Sequence, residues 1–250
     1  MNQRTPTIDD RLIARIRPDG IPIMHQRWES LLFMHWRISA EALSVLVPPS
    51  LAIDTYDGDA WITISPFDVK NSRPSFLPPL PWVGDFHELN VRTYVHVEGV
   101  PGIWFFSLDA ASMAAVLGAR TFFSLPYYNA RMSLDREGDV IDYTSTRMEG
   151  EGQIAEFHAT WEIGAELPQA APGTLEFFLV ERYALYAQNQ GMLYRSRVHH
   201  KPWPLQVANL SLYESSMIEA AGLPTPKGEP IVTCGGPVEV EVWPLEQVVG

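Results

Sequence analysis

From Glu88 to His96 polar and apolar residues alternate, so Glu88, Asn90, Arg92, Tyr94 and His96 share one face of a strand and Leu89, Val91, Thr93, Val95 and Val97 share the other. Neighbours on one face of a strand stand roughly 7 Å apart. Turned toward an interior, the first face offers a carboxylate, an amide and a guanidinium to one small polar ligand, with Glu88 as a base. Turned outward, the same pattern is a solvated face with cross-strand pairs, and both readings stand at this level. Tyr127 and Tyr128 are adjacent, so on a strand only one of them faces inward. An inward phenol donates a hydrogen bond to a developing oxyanion or acts as a general acid; the alternative is an amphipathic core filler.

His199-His200 lies close in sequence to Arg195, Arg197 and Trp203. Adjacent strand residues point opposite ways, and the remaining histidines show no His-x-His or His-x-x-x-His spacing. No metal site is expected, and His199 and Trp203 are kept as ligand-binding candidates. Only three lysines occur, Lys70, Lys201 and Lys227. Lys201, beside His200, is the one with a potential cationic neighbour to lower its pKa, so it is the candidate amine nucleophile. Cys234 reads as a small buried hydrophobe. The chain has no Gly-x-Ser-x-Gly elbow, no Gly-x-Gly-x-x-Gly and no Walker loop, so no nucleotide cofactor is expected.

The elements that must position these groups are short. The chain has 250 residues, 46% of them hydrophobic, with 21 prolines and 19% charged residues, which fits many strands joined by rigid turns. Trp28 to Trp36 reads as a buried strand, Ser39 as the N-cap of a helix over Ala40 to Val47, and Asp57-Gly58 as a turn into a strand over Ala60 to Val69. Asn71 to Gly84, with four prolines, reads as a rigid loop or lid. Ala111 to Phe123 has helix-forming composition, Tyr128 to Leu134 and Val140 to Met148 read as a hairpin, and Glu156 to Ile163 as a further strand. Thr174 to Val180 reads as a capped helix, Tyr183 to Ala187 pairs with Leu193 to Val198, Ser211 to Ala221 looks helical, and Val238 to Val242 is a last strand. Residues 1–20 read as an arm or lead-in segment, and without a flexible linker or repeat the rest reads as one domain over 1–250.

The formal net charge of −12 opposes nucleic acid and anionic membrane surfaces, leaving a small organic ligand as the expected partner. No signal-like stretch or long apolar run occurs, so a cytoplasmic protein is expected; a homo-oligomer is left open.

Several stretches carry a resemblance: MHWRISAEALSVLVPPSLAIDTYDGDAWITISPFDV from Met34, ELNVRTYV from Glu88, PGIWFFSLDAASMAAVLGARTFFSLPYYNARM from Pro101, LEFFLVERYALYA, LYRSRVHHKPWPLQ and VEVEVWPLE. The chain resembles the DUF2071 (YqjF-like) family, within the acetoacetate decarboxylase-like superfamily. The resemblance implies a mainly β (α+β) fold, an acetoacetate decarboxylase-like β-barrel or cone with a few peripheral helices. Beside the decarboxylase pattern Gly-Arg-Glu-x(3)-Tyr-Pro-Lys-Lys, the arginine meets Arg120, the proline Pro126, the glutamate Thr121 and the lysine pair Tyr127 and Tyr128. A phenol cannot form the iminium that a desolvated lysine forms, the effect for which acetoacetate decarboxylase itself is the standard example.

The expected function is therefore that of a small-molecule-binding barrel performing acid/base chemistry on a carboxylate or carbonyl compound without a Schiff base. In it Arg92 and Arg120 hold a ligand carboxylate, Asn90 helps bind it, Tyr127 or Tyr128 donates a proton, and Glu88 or a histidine is the base. The alternatives are a non-catalytic binder or sensor and a Schiff-base lyase using Lys201.

Overall fold

A computed structural model describes residues 4–78, 84–150 and 154–248. Five helices and fifteen strands alternate along them. In chain order the first part contains α1 (Ile8–Ala14), β1 (Met24–Glu29), β2 (Leu31–Ile38), α2 (Ala40–Ser44), β3 (Ala52–Ile53), β4 (Ala60–Pro74), β5 (Phe86–Val97), β6 (Val100–Ala110) and α3 (Met113–Phe123). The second contains β7 (Tyr127–Glu137), β8 (Val140–Arg147), β9 (Glu156–Glu166), α4 (Leu175–Val180), β10 (Ala184–Asn189), β11 (Met192–His200), β12 (Leu205–Ser215), α5 (Met217–Ala220), β13 (Ile231–Gly235), β14 (Val238–Val242) and β15 (Glu246–Gln247). The fold is mainly β, with few helices.

Side-chain caps start four of the five helices. Thr7 and Asp10 form a capping box on α1, and Ser39, Ser112 and Thr174 each accept a backbone N–H at the start of α2, α3 and α4. The β5–β6 hairpin turns on Glu98 and Gly99, both at positive φ, which matches the right-handed twist of the strands it joins. α3 is the crossover that lets β7 pair in parallel with β6.

All strands belong to one sheet that closes on itself twice. One circuit runs β1–β14–β11–β10–β6–β5–β4 and back to β1. The other runs β4–β5–β6–β7–β8–β9–β12–β13–β2 and back to β4. The strands β4, β5 and β6 are shared, so each of their faces looks into a different ring.

That sharing explains the alternation along β5. Leu89 and Val91 join Leu32, Ile62, Tyr143, Phe157 and Trp161 in the packed interior of the second ring. Glu88, Asn90 and Arg92, on the opposite face, are also buried, at 5%, 3% and 8% exposure. β5 is thus covered on both sides, and the solvated-face reading of this ladder does not hold.

Three expected elements differ. Trp28 to Trp36 is two strands rather than one, because Ser30 takes a left-handed φ of 56° and passes the chain from the first ring to the second. The helix expected over Ser211 to Ala221 is mostly β12, held extended by antiparallel pairing with β9 through Ser215; only Met217–Ala220 is helical. The loop expected from Asn71 begins later, since Asn71 to Pro74 extend β4 against β1, and residues 79–83 of that loop lie outside the described residues.

Candidate functional site

The first ring is hollow. It encloses a cavity of about 270 Å³ whose wall comes from β1, β4, β5, β6, β10, β11 and β14, with one side supplied by α3. Most of the wall is apolar: Trp28, Phe67, Phe86, Phe105 and Phe123 are among the lining side chains. Against it stand a few polar groups, chiefly Glu88, Asn90, Arg92, Tyr127, Arg182 and His200. Ala114 and Phe122 of α3 line the cavity and are also exposed, so the mouth opens beside this helix.

Arg92 is the exception to the rule that a buried charge is paired. Among the described residues its guanidinium makes no hydrogen bond or ion pair, and its Nε is buried without a partner. Its nearest aromatic contact is the ring of Phe33, 5.6 Å from Cζ to centroid. Burial depresses its pKa, opposed by the nearby Tyr94 and Glu88. The Oδ1 of Asn90, two residues before it on the same face, is likewise buried and unpartnered.

Glu88 and Tyr127 meet directly, the phenol donating to Oε2 at 2.8 Å. Burial raises the pKa of Glu88 to about 7; the Tyr127 hydrogen bond and Arg92 pull it down, and the charge of Asp109 adds to the rise. The Tyr127 hydroxyl is pushed well above the ordinary phenol range by burial and by the adjacent carboxyl. The pair thus joins a carboxyl balanced near neutrality, able to take up or release a proton, to a phenol that stays protonated beside it, an arrangement suited to general acid/base exchange.

Of the two tyrosines, Tyr127 lines the cavity and Tyr128 does not. The ring of Tyr128 lies between Arg147, 3.9 Å away, and Arg120, 5.9 Å away, on the far side of β7. Arg120 is also outside the lining. Its Nε donates to the backbone carbonyl of Tyr127 at 2.7 Å, and its Nη2 pairs with Glu149 near the surface. It lies in the last turn of α3, which aims it at the chain returning to β7 instead of at a ligand, so its expected part in holding a carboxylate is revised to a positional one.

His199 and His200 divide in the same way, because neighbours on β11 face opposite sides. His200 lines the cavity, and His199 lies on the other face of β11, opposite Glu241 and outside the lining, although it was selected as a ligand-binding residue. The Nδ1 of His200 donates to the Lys201 carbonyl at 2.7 Å, and burial lowers its pKa to about 4. Trp203 is in the wall, but its indole N–H is taken by the Val180 carbonyl at 3.1 Å, so it offers an aromatic face only. None of Lys70, Lys201 and Lys227 lines the cavity, and Lys201 is exposed, away from the enclosed hollow. Among the described residues no group of three or more His, Cys, Asp or Glu side chains converges on a common point.

Arg182 had no place among the expected site residues. It lines the cavity with a buried, unpartnered Nη2, while its Nη1 binds Asp54 at 2.7 Å and its Nε the Phe178 carbonyl at 2.9 Å. Asp54 is shared with Arg11 of α1, which binds it through two 2.7 Å contacts, so the lead-in helix is tied to the cavity wall. The available signal was a charged pair, Glu181-Arg182, in the middle of the apolar run Phe177 to Leu185.

The chain superposes on an acetoacetate decarboxylase-like enzyme from Sphingomonas wittichii RW1 with a TM-score of 0.62, at 12% identity, covering 92% of this chain and 94% of that one. It superposes similarly on the enduracididine biosynthesis enzyme MppR complexed with pyruvate, with a TM-score of 0.63 at 12% identity, covering 93% and 92% of the two chains. At such identities the likeness is one of fold. By sequence the chain belongs to DUF2071, a family of uncharacterized conserved proteins whose model matches residues 25–239. It is 43% identical over 230 residues to the uncharacterized protein YqjF of Bacillus subtilis strain 168, covering 92% of this chain and 94% of that protein.

Proposed function

We propose that the cavity binds a small organic carboxylate and exchanges a proton with it through Glu88 and Tyr127, without a covalent amine intermediate. The observation that carries this reading is the unpaired guanidinium of Arg92 inside a closed ring of strands. Keeping an ion there costs several kcal/mol unless a counter-ion meets it. A planar carboxylate is the partner a guanidinium fork fits best, and Asn90 on the same face carries an amide N–H that can donate to an adjoining oxygen. The pyruvate bound to MppR shows that one protein of this fold takes such an acid, which supports the ligand class.

With a 2-oxo or 3-oxo acid held by Arg92, the Glu88 carboxylate removes a proton from the carbon next to the ketone. The ketone oxygen receives a proton from Tyr127, whose oxygen takes back the proton now on Glu88, and the product is the enol tautomer; the reverse relay regenerates the keto form. No bond to the protein forms. Lysine-dependent decarboxylation is not the reading favoured, since none of the three lysines is in the wall.

Solvent-deuterium exchange into 2-oxobutanoate, followed by NMR, tests this. Purified protein is expected to accelerate exchange at the carbon next to the ketone, and Glu88→Gln and Tyr127→Phe to lose about 10²-fold or more of that acceleration. Arg92→Met should lose it through KM. Carboxylate binding with no acceleration in any form would instead make the protein a binder or sensor, the second reading, which the lysine-free wall favours over a lyase.

A further inference from the structure

Building on the proposed carboxylate site, we infer that the ligand carries an aromatic body and a single carboxylate, and that α3 sets the size limit. Three observations converge. The first is volume: an apolar hollow of about 150 Å³ already accommodates benzene, whereas this cavity has about 270 Å³. A four-carbon keto acid is little larger than benzene and would leave much of the space unfilled. An apolar surface left in contact with trapped water gains nothing from burial.

The second is the distribution of chemistry. The unpaired acceptor and donor groups sit at Asn90 and Arg92 on β5, and the wall around them is built largely from rings, including Trp28, Phe67, Phe86, Phe105 and Trp203. Trp28 and Trp203 lie nearly parallel at 6.3 Å, and both indole N–H groups are already bonded, Trp28 to Gln26 at 2.7 Å and Trp203 to Val180. They offer faces and edges to another ring, not hydrogen bonds. Of the two cationic side chains in the wall, Arg182 is already engaged by Asp54, which leaves one free positive charge and hence room for one carboxylate.

The third is the shape of α3. Ala114, Ala115, Gly118 and Ala119 share the helix face that borders the cavity. A β-carbon added at Gly118 would meet nothing within 4 Å. A helix prefers almost any residue to glycine at its centre, so the open space at this position, in the wall of the same cavity as the unpaired Arg92, is space kept for a ligand.

Calorimetric titration of the full chain with four probes tests the inference: 3-phenylpropanoate, its neutral amide 3-phenylpropanamide, acetoacetate and glutarate. Wild type is expected to bind 3-phenylpropanoate at least about tenfold more tightly than acetoacetate or glutarate, the ring supplying the added burial. Gly118→Leu should fold at least as well as wild type, lose that preference and keep its affinity for acetoacetate. Gly118→Ala, too small to fill the space, should bind as wild type does. Equal or tighter binding of acetoacetate or glutarate, or an unchanged profile in Gly118→Leu, overturns the aromatic assignment and leaves the carboxylate reading standing. If the amide binds as well as the acid, or no carboxylate binds, the carboxylate reading itself fails and this inference with it.

Discussion

Glu88 is the residue through which pH should reach this site. Its carboxyl stays neutral up to about 7 because burial outweighs the help it receives from Tyr127 and Arg92. Once ionised, it competes with a ligand carboxylate for the field of Arg92. Carboxylate affinity should therefore fall as pH rises through about 7, and Glu88→Gln should flatten that fall, as read by titration calorimetry at pH 5.5, 7 and 8.5. The same shift has a consequence for stability. A carboxyl whose pKa is raised on folding holds its proton longer in the folded than in the unfolded chain, so its favourable contribution is complete at pH values below the ordinary carboxyl pKa and is lost as pH rises to about 7. An affinity that is level or rises across this window would show that Glu88 does not face the ligand. The residue types of this site were legible in the sequence, since the Glu88, Asn90 and Arg92 spacing put them on one face. Their direction was not, because polar and apolar alternation describes a half-solvated strand as well as one buried on both sides.

At the scale of elements, α3 is both wall and door frame. It is the cavity's side toward solvent, and it is pinned at its C-terminal end by Arg120, which holds the Tyr127 backbone and pairs with Glu149. Ser124 follows in a left-handed conformation, so the helix ends sharply before β7 begins. Arg120→Met should raise backbone hydrogen exchange across residues 113–123 severalfold and speed ligand release, with a change in global stability of only about 1 kcal/mol or less, since a half-exposed ion pair contributes little. Unchanged exchange would show that the helix is held by Val116 and Phe123 alone. Helix starts were readable from Ser39 and Thr174, because a cap is a local hydrogen bond, whereas the Ser112 cap fell inside the stretch from Ala111 that composition alone marked as helical. Ser211 to Ser215 was not, because a long-range ladder with β9 overrides a composition that suits a helix.

The whole molecule is two rings that share three strands and differ in their contents. The second ring is filled by Trp161, Tyr143, Phe157 and their neighbours, whereas the first encloses a largely apolar hollow with a few buried polar groups. Composition and resemblance pointed to a mainly β architecture of this kind; the double closure and the sharing of β4 to β6 depend on pairings between residues far apart in the chain, which no local pattern encodes. A hollow that holds an unpaired arginine is a destabilising feature that only a ligand offsets. The most direct test is the thermal melting of wild type and Arg92→Met, each with and without a saturating mixture of 3-phenylpropanoate and acetoacetate. The account predicts that Arg92→Met is more stable than unliganded wild type by about 1–3 kcal/mol and is not stabilised further by the acids, whereas wild type is. A variant that melts lower than wild type, yet is still stabilised by the acids, would contradict it.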